Sequence, residues 1–406
     1  MIKDIIDKKR LGKVLSYDEL YKIFMGYLNH EVKDYQMSSL LMAICINGME
    51  MDEVYNLTDI FIKSGDVLDL SGIDGVKVDK HSTGGIGDKT TLVIVPIVAS
   101  LGIPVVKFSG RGLGYTGGTI DKLESIPGYR IDLSNEEIFD AVKKVGAVIT
   151  GQTGNLVPLD KVIYALRDVT ATVSSIPLIA VSIMSKKIAS GADKILLDVK
   201  YGSGALVSTE EEALQLAEIM QKIGNKYNRE VRYVLTPMDS PLGYNIGNSL
   251  EVLEAINTLK GEEVSDFSSL SIKLASIMVS MAKDIPVQDA KLLVLDSIES
   301  GEAYNKFLEI VKNQNGDINL LKVSSKIINV YSEKSGVIKN VDALKIGKLS
   351  LSLGAGRREK EDVIDYSVGI ELVKKPGDSV NIGDLLMKIY AQDDNVVLDD
   401  DIFEIE

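Results

Sequence analysis

The sequence is poor in the residues on which disulfide and zinc chemistry depend. The 406-residue chain has one cysteine, Cys45, and two histidines, His30 and His81. A single cysteine cannot form an internal disulfide, which is typical of a reducing compartment. No group of His, Cys and carboxylate residues has the spacing of a zinc site, and no Gly-x-Ser-x-Gly nucleophile motif occurs. These absences argue against a zinc enzyme and against a hydrolase of the nucleophile-elbow type.

Long apolar segments and excess positive charge are also absent. The longest apolar run, 91–106, contains Pro96, Gly102 and Pro104, so it is too short and too interrupted to span a bilayer. The first ten residues are charged and lack the apolar core of a signal peptide. Lys and Arg number 45 against 59 Asp and Glu, a net charge of −14 that opposes nucleic-acid and anionic-membrane binding. We expect a cytoplasmic protein that binds neither, and that binds any anion through local positive charge.

Hydrophobic periodicity divides the chain into segments of alternating character. The segments are 1–68 (helical), 69–158 (α/β), 159–191 (helical), 192–332 (α/β) and 333–406 (short strands and turns). In the second helical segment, helices are predicted over 161–167, 171–173 and 178–189. We therefore expect an α/β protein with a small all-helical domain made of two separated segments, a large α/β domain and a small C-terminal α+β subdomain. Chain crossings between such domains often make hinges.

A first glycine-rich turn, 80–91, follows a predicted strand and begins with Lys80. It combines three glycines with two lysines, a histidine and four hydroxyl side chains. Glycine lets the backbone approach an anion, and a helix beginning near Lys89 would add its N-terminal amides. The spacing fits neither a Walker A loop nor a dinucleotide fingerprint. His81 is the only plausible histidine acid, because His30 lies at a predicted helix end.

A second glycine-rich turn follows the next predicted strand. It contains Lys107, Ser109, Arg111 and Thr119 among five glycines. Ligands of α/β proteins bind at the carboxyl ends of strands, so the two turns are expected to form two walls of one pocket. A glycine-rich loop packed at a domain junction is the structural alternative.

A third group of polar residues lies in the second helical segment. Ser182 and Lys186 are four residues apart and therefore share one helix face. We expect Arg167 and Lys186 to point into the cleft between the domains. Lys187 is better explained as an exposed residue on a solvated helix face.

Taken together, these motifs resemble the signature of the thymidine and pyrimidine-nucleoside phosphorylases. The matching segments run in order along the chain, namely 80–85 (KHSTGG), 109–124 (SGRGLGYTGGTIDKLE), 164–173 (YALRDVTATV), 185–187 (SKK) and 241–244 (PLGY). The resemblance implies a helical and a larger α/β domain that close over a cleft, in a homodimer formed through the helical domain. It also implies phosphorolysis of uridine, thymidine or deoxyuridine to free base and pentose 1-phosphate, in nucleotide salvage. Phosphate is then the co-substrate, and no organic cofactor is needed.

The resemblance also assigns roles to residues. It implies that phosphate is bound by Lys80, Ser82, Thr91, Ser109 and Thr119, with Lys107 close by. It implies that the pyrimidine is bound by Arg167, Ser182 and Lys186, and that His81 donates a proton or hydrogen bond to the base. Arg167, Lys186 and protonated His81 would stabilise the departing base anion. A structural potassium ion is implied at Gly87, Lys89, Leu242, Asn245 and Glu254, mainly through backbone carbonyls.

Within the resemblance, Lys107 and the 241–244 turn favour the broad pyrimidine-nucleoside enzymes over the strict thymidine enzymes. Four positions depart from the family pattern: Tyr115 replaces a common His, Lys89 replaces a smaller neutral residue beside the cation position, and Pro237 and Ser240 replace an Asp and a Gln. Two other functions stay open. One is a phosphoribosyltransferase of the related anthranilate type, and the other is a non-catalytic nucleoside-binding protein.

Overall fold

The computed structural model describes residues 1–112, 115, 117–152, 155–359, 361–399 and 401–406. The helices are α1 (Ile2–Arg10), α2 (Tyr17–Leu28), α3 (Asp34–Asn47), α4 (Met51–Lys63), α5 (Thr90–Ser100), α6 (Thr119–Glu124), α7 (Asn135–Val145), α8 (Pro158–Asp168), α9 (Ile176–Ala189), α10 (Glu210–Lys226), α11 (Asn248–Leu259), α12 (Asp266–Lys283), α13 (Val287–Glu299), α14 (Glu302–Asn313) and α15 (Ala343–Ser352). The strands are β1 (Val78–Ser82), β2 (Val105–Ser109), β3 (Ala147–Gly151), β4 (Lys194–Tyr201), β5 (Glu230–Pro237), β6 (Asn245–Ile246), β7 (Lys326–Tyr331), β8 (Gly336–Val341), β9 (Gly369–Leu372), β10 (Ser379–Val380), β11 (Leu385–Ala391) and β12 (Phe403–Ile405).

The helices α1 to α4 pack together with α8 and α9. α2 begins at a capping box, in which the Ser16 hydroxyl accepts a hydrogen bond from the Glu19 amide at 3.3 Å, and Glu19 Oε2 accepts one from the Ser16 amide at 2.7 Å. α4 lies along α9, and α2 contacts α8. The buried side chains of Leu20, Phe24 and Phe61 belong to the apolar core between these helices. The chain thus leaves this part of the molecule after α4 and returns to it at α8.

Two parallel sheets position the glycine-rich turns. β4 lies between β1 and β5 in one sheet, and β2 pairs with β3 in the other. β1 and β2 end at Ser82 and Ser109, so both turns leave from carboxyl strand ends, as predicted. α5 is buried from Thr90 to Ala99 and packs against β2 and β3. A helix that is apolar on all sides is usually buried in this way.

The C-terminal part consists of antiparallel strands and α15. β6, β9, β11 and β7 form one sheet, while β8 pairs with β10 and β12. Its apolar core also takes in Ile86 from the first glycine-rich turn. Ser240 Oγ donates a hydrogen bond to Asn340 Oδ1 at 2.7 Å. The C-terminal strands therefore contact the region that follows β1 and the turn that follows β5.

The helix predicted over 171–173 is wrong. This segment is a turn between α8 and α9, and Ala171 has a left-handed φ of 55°. The carbonyls of Thr172 and Val173 accept hydrogen bonds from the Arg167 side chain, so they are unavailable to a helical ladder. Within the ranges given above, no helix combines the length and apolarity needed to cross a membrane.

Candidate active site

Lys80 lies at the centre of a buried polar network at the end of β1. Its Nζ donates a hydrogen bond to Thr90 Oγ1 at 2.6 Å and lies 3.3 Å from Asp198 Oδ2. Asp198 is on the neighbouring strand β4, where its Oδ2 also lies 3.0 Å from Lys200 Nζ. Asp198 therefore holds two buried lysines together, and Asp88 adds a second carboxylate 3.9 Å from Lys200 Nζ.

Asp88 orients the hydroxyl groups of that turn. Its carboxylate accepts hydrogen bonds from the Ser82 hydroxyl and, at 2.7 Å, from Thr90 Oγ1. Burial raises the pKa of Asp88, but Lys200, Lys80 and the hydroxyl donors outweigh burial and hold it well below its usual value. An ionised Asp88 thus keeps Ser82 next to Gly84, whose amide donates to Ser82 Oγ at 3.2 Å and whose φ of 88° suits glycine.

Lys107 joins the second strand end to the first. Its Nζ donates to the carbonyl of Lys80 at 2.7 Å and lies 3.7 Å from Asp79 Oδ1. Burial lowers the pKa of Lys107 to about 7, against the attraction of Asp79. The Lys107 amine therefore titrates near neutral pH, and an arriving anion would favour its protonated form.

The expectation that Lys187 is exposed is wrong. Its side chain is buried and its Nζ donates to Asp79 Oδ2 at 2.5 Å. This ion pair joins α9 to β1. Lys187 faces the strand, whereas Ser182 and Lys186 lie on another face of α9. A buried lysine needs such a partner.

Side chains of α6 hold the second turn. Asp121 Oδ2 accepts hydrogen bonds from the amides of Gly112 at 2.6 Å and Gly118 at 3.2 Å. The amide of Ile120 donates to the carbonyl of Gly110 at 3.3 Å, which closes the base of the turn. Ser109 ends β2 and Thr119 begins α6 on either side of this closure, and Thr91 is buried in the first turn of α5. Leu113, Gly114 and Thr116, which belong to the motif, lie outside the described residues.

His81 is surrounded by positive charge. Burial, followed by the charges of Lys187, Lys107, Lys186 and Lys80, holds the pKa of His81 well below its usual value. A pKa below its usual value favours the neutral imidazole at pH 7, whereas the resemblance implies a protonated His81 in the reaction. A neutral imidazole still has one N–H donor.

Arg167 binds backbone carbonyls. Its Nε donates to Thr172 O at 3.1 Å, its Nη2 to Val173 O at 2.6 Å and its Nη1 to Leu178 O at 3.2 Å. Only 1% of the residue is exposed. Three of the five guanidinium N–H groups thus bind carbonyls of the turn between α8 and α9 and of the first turn of α9.

Ser182 and Lys186 are brought together, as their spacing predicts. Lys186 Nζ lies 3.2 Å from Ser182 Oγ and 2.6 Å from Asp160 Oδ2. Asp160 comes from the first turn of α8 and is buried, and its Oδ1 has no hydrogen-bond partner among the described residues. Its charge also attracts Arg167. Asp160 therefore organises both cations expected to face the base.

The residues expected to hold potassium also come together, but around the ammonium of Lys89. Lys89 Nζ donates to Leu242 O at 2.8 Å and Asn245 O at 2.9 Å, and it lies 2.6 Å from Glu254 Oε2. A Cβ on Gly87 would meet Leu242 O at 2.5 Å, so this glycine belongs to the same cluster. These oxygens already bind a cation that is part of the chain, so they do not fit an additional potassium ion. Among the described residues, no cluster of three His, Cys, Asp or Glu side chains could hold a metal ion.

Sequence reasoning found the cations and missed several acids that hold them, namely Asp79, Asp160 and Asp198. For Asp198 a signal was available, because it interrupts the apolar run of strand β4 and a buried charge requires a partner. Asp79 precedes Lys80 in the same strand, where alternation places it on the opposite face.

Comparison with known domain families defines the class of protein. Residues 3–65 match a helical bundle domain of a glycosyl transferase family, residues 74–304 match the a/b domain of that family, and residues 337–399 match a pyrimidine nucleoside phosphorylase C-terminal domain. The predicted fold class, helical plus large α/β plus C-terminal domain, is confirmed. Anthranilate phosphoribosyltransferase from Thermus thermophilus has a similar structure, with a TM-score of 0.60 and 18% identity over 77% of this chain and 99% of its own. At that identity the similarity shows the fold alone.

Whole-chain relatives narrow the class further. The chain is 50% identical to a pyrimidine-nucleoside phosphorylase of Staphylococcus haemolyticus (strain JCSC1435) over 97% of this chain and 92% of that protein. Pyrimidine-nucleoside phosphorylases of Bacillus subtilis (strain 168) and Geobacillus stearothermophilus are 49% and 48% identical with the same coverage. The chain belongs to the pyrimidine-nucleoside phosphorylase family, and the resemblance seen in the motifs is confirmed.

Proposed function

We propose that this protein phosphorolyses uridine, thymidine and deoxyuridine, with phosphate attacking C1′ to give the free base and a pentose 1-phosphate. The observation that carries the proposal is the position of His81. It lies in β1 between Lys80 and Ser82, both expected to bind phosphate. The charge of Lys186, expected to bind the base, also lowers the pKa of the His81 imidazole. A nucleoside placed between the two groups would have its glycosidic bond next to His81.

The phosphate side offers charge and hydroxyl donors. Lys80 and Lys107 supply positive charge, and the hydroxyl groups of Ser82, Thr91, Ser109 and Thr119 complete the proposed set. Cleavage of the C1′–N bond builds positive charge on the sugar, which a bound phosphate dianion stabilises before attacking it. The net negative charge of the chain does not prevent phosphate binding here, because the nearest carboxylates are already paired with lysines.

The base side stabilises the leaving group. Lys186, Arg167 and Ser182 would bind the pyrimidine, and the positive charges of Lys186 and Arg167 would stabilise the negative charge that develops on the base. His81 would donate a hydrogen bond from its neutral imidazole to a base oxygen.

We propose a domain arrangement and an assembly to match. The helical part consists of segments 1–68 and 159–191, the α/β part of segments 69–158 and 192–332, and the C-terminal subdomain of 333–406. The helical part would move against the α/β part, and this closure would assemble the site.

The exposed apolar side chains of α3 offer an interface for a homodimer through the helical part. Tyr35, Met42 and Ile46 lie on one stripe of α3 and are 72%, 40% and 75% exposed, and a second copy of the chain would cover this stripe. Replacing Ile46 with Asp is then expected to shift the mass measured by light scattering from dimer to monomer. We place the enzyme in cytoplasmic nucleotide salvage, in keeping with its single cysteine.

The test is base release followed by absorbance, with uridine, thymidine and deoxyuridine side by side, with and without phosphate. We expect release only with phosphate, and a Lys80→Ala variant that mainly raises the KM for phosphate. The matched control is Lys161→Ala, which removes an exposed lysine of α8 and is expected to leave the rates unchanged.

Two results would contradict the proposal. Activity with anthranilate and phosphoribosyl pyrophosphate in magnesium, but none with phosphate, would indicate the phosphoribosyltransferase alternative. Uracil binding without turnover would indicate a nucleoside-binding protein.

A further inference from the structure

Lys89 is a buried cation with a complete set of oxygen partners. Its side chain and that of Glu254 are both 0% exposed, and their charged atoms are 2.6 Å apart. The carbonyls of Leu242 and Asn245 accept its other two hydrogen bonds, at 2.8 and 2.9 Å. An ammonium has three N–H donors, and each one here faces an oxygen.

The turn that follows β5 is wrapped around this ion pair. Glu254 Oε1 accepts a hydrogen bond from the Tyr244 amide at 2.7 Å, and its Oε2 accepts one from the Asn245 amide at 2.9 Å. Gly243 has a φ of 73°, and a Cβ there would lie 2.3 Å from Glu254 Oε1 and 2.8 Å from Lys89 Nζ. On the side of Gly243, the packing therefore leaves no room beside the ammonium for a further ion.

The remaining side of the ammonium faces an aromatic ring. Lys89 Nζ lies 4.8 Å from the centre of the Phe267 ring, a cation–π distance. The groups around the ammonium would also suit a monovalent metal cation as ligands. They are two carbonyls, one carboxylate and a ring face, and hard oxygen ligands with one negative charge match the hardness and charge of such an ion.

We propose that the Lys89 ammonium takes the place of a monovalent metal cation, so that this protein needs no potassium. Lys89 directly follows Asp88 and precedes α5, so the tethered cation connects the first glycine-rich turn to α11 through Glu254. Covalent attachment keeps the cation at its site at any salt composition, whereas a free ion must be supplied by the solvent. The inference rests on contacts outside the proposed substrate sites, and it stands or falls separately from the proposed function.

The experiment compares thermal unfolding in potassium, sodium and choline chloride at equal ionic strength. For the unaltered protein we expect the same Tm in all three salts. For Lys89→Thr, which restores a small neutral residue, we expect a lower Tm in choline chloride and a rise with potassium that follows the logarithm of its concentration above the dissociation constant. Atomic emission after dialysis is expected to find bound potassium in the variant and none in the unaltered protein.

Lys9→Thr is the matched control. Lys9 also pairs with a buried glutamate, Glu53, with both Nζ–carboxylate oxygen distances at 2.8 Å, but its Nζ contacts no backbone carbonyl in the described contacts. We expect the control to lose stability without potassium-specific recovery. A Tm of the unaltered protein that rises specifically with potassium would overturn the inference, and so would a folded Lys89→Thr variant that does not respond to potassium. The first of these measurements does not depend on whether any variant folds.

Discussion

Replacing Asp160 with Asn would test whether this buried carboxylate positions the lysine at the proposed base site. The carboxylate lies 2.6 Å from Lys186 Nζ, and 7% of its side chain is exposed. Asn keeps the shape and removes the charge, so Lys186 retains only Ser182 Oγ at 3.2 Å and a neutral amide. A hydrogen bond to a charged group contributes about 1.5–3 kcal/mol. If that energy orients Lys186 in the transition state, kcat/KM for uridine falls about 10- to 150-fold, at about 1.4 kcal/mol per tenfold.

The assay is steady-state phosphorolysis with each substrate varied in turn. Because Asp160 acts through Lys186, which we assign to the base side of the site, kcat/KM for the nucleoside is expected to fall while the KM for phosphate stays within about twofold. Glu137→Gln serves as the control. It removes a carboxylate in the first turn of α7 that pairs with Arg130 at an exposed position, and we expect no change in rate.

A double-mutant cycle separates positioning from general structural damage. If Asp160 acts only by orienting Lys186, then Asp160→Asn adds nothing to the loss caused by Lys186→Met. Additive losses in the double variant, or a normal rate in Asp160→Asn, would refute the reasoning.

The other predictions concern buried lysines and the histidine. Lys187→Met is expected to lower the free energy of unfolding by about 3–5 kcal/mol in urea titrations, because it leaves the buried Asp79 without its closest partner. A loss of stability as small as that caused by Lys161→Met, at an exposed position, would contradict this prediction. The pKa of His81 is depressed, so the ring is neutral above that pKa, and kcat/KM for the nucleoside is expected to show no inflection from His81 between about pH 6 and 8. An inflection in that range that His81→Ala removes would contradict this prediction. His81→Ala is also expected to lower turnover strongly. The pKa of Lys107 is about 7, so its amine is mostly neutral at pH 8 and phosphate binding is expected to take up a proton, as calorimetry in buffers of different ionisation enthalpy would show. Equal proton uptake by Lys107→Met would contradict that assignment.

Much of the fold could be predicted from local pattern. The Ser16 capping box, the strand ends at the two glycine-rich turns and the helix of residues 90–100 are all local features, determined by side chains within a few residues of one another. The turn at 171–173 could not be predicted in this way. Its conformation depends on the Arg167 guanidinium, which binds its carbonyls from the preceding helix.

The candidate site shows a similar division. The glycine-rich turns and the spacing of Ser182 and Lys186 are visible in the sequence. The partners of the lysines are not, because Asp79 pairs with a residue 108 positions away. The sequence therefore predicts an exposed Lys187, whereas the structure pairs it with a buried carboxylate. Tertiary pairing also explains how a chain of net charge −14 can keep a positive site: its acids at the site are already paired with lysines.

The most direct test of the central claim is the fate of phosphate during base release. Uridine is incubated with the protein and phosphate, uracil is measured by absorbance, and phosphorus NMR follows the phosphate. We predict one ribose 1-phosphate for each uracil released and no reaction without phosphate. Uracil release with free ribose and unchanged phosphate would contradict the account.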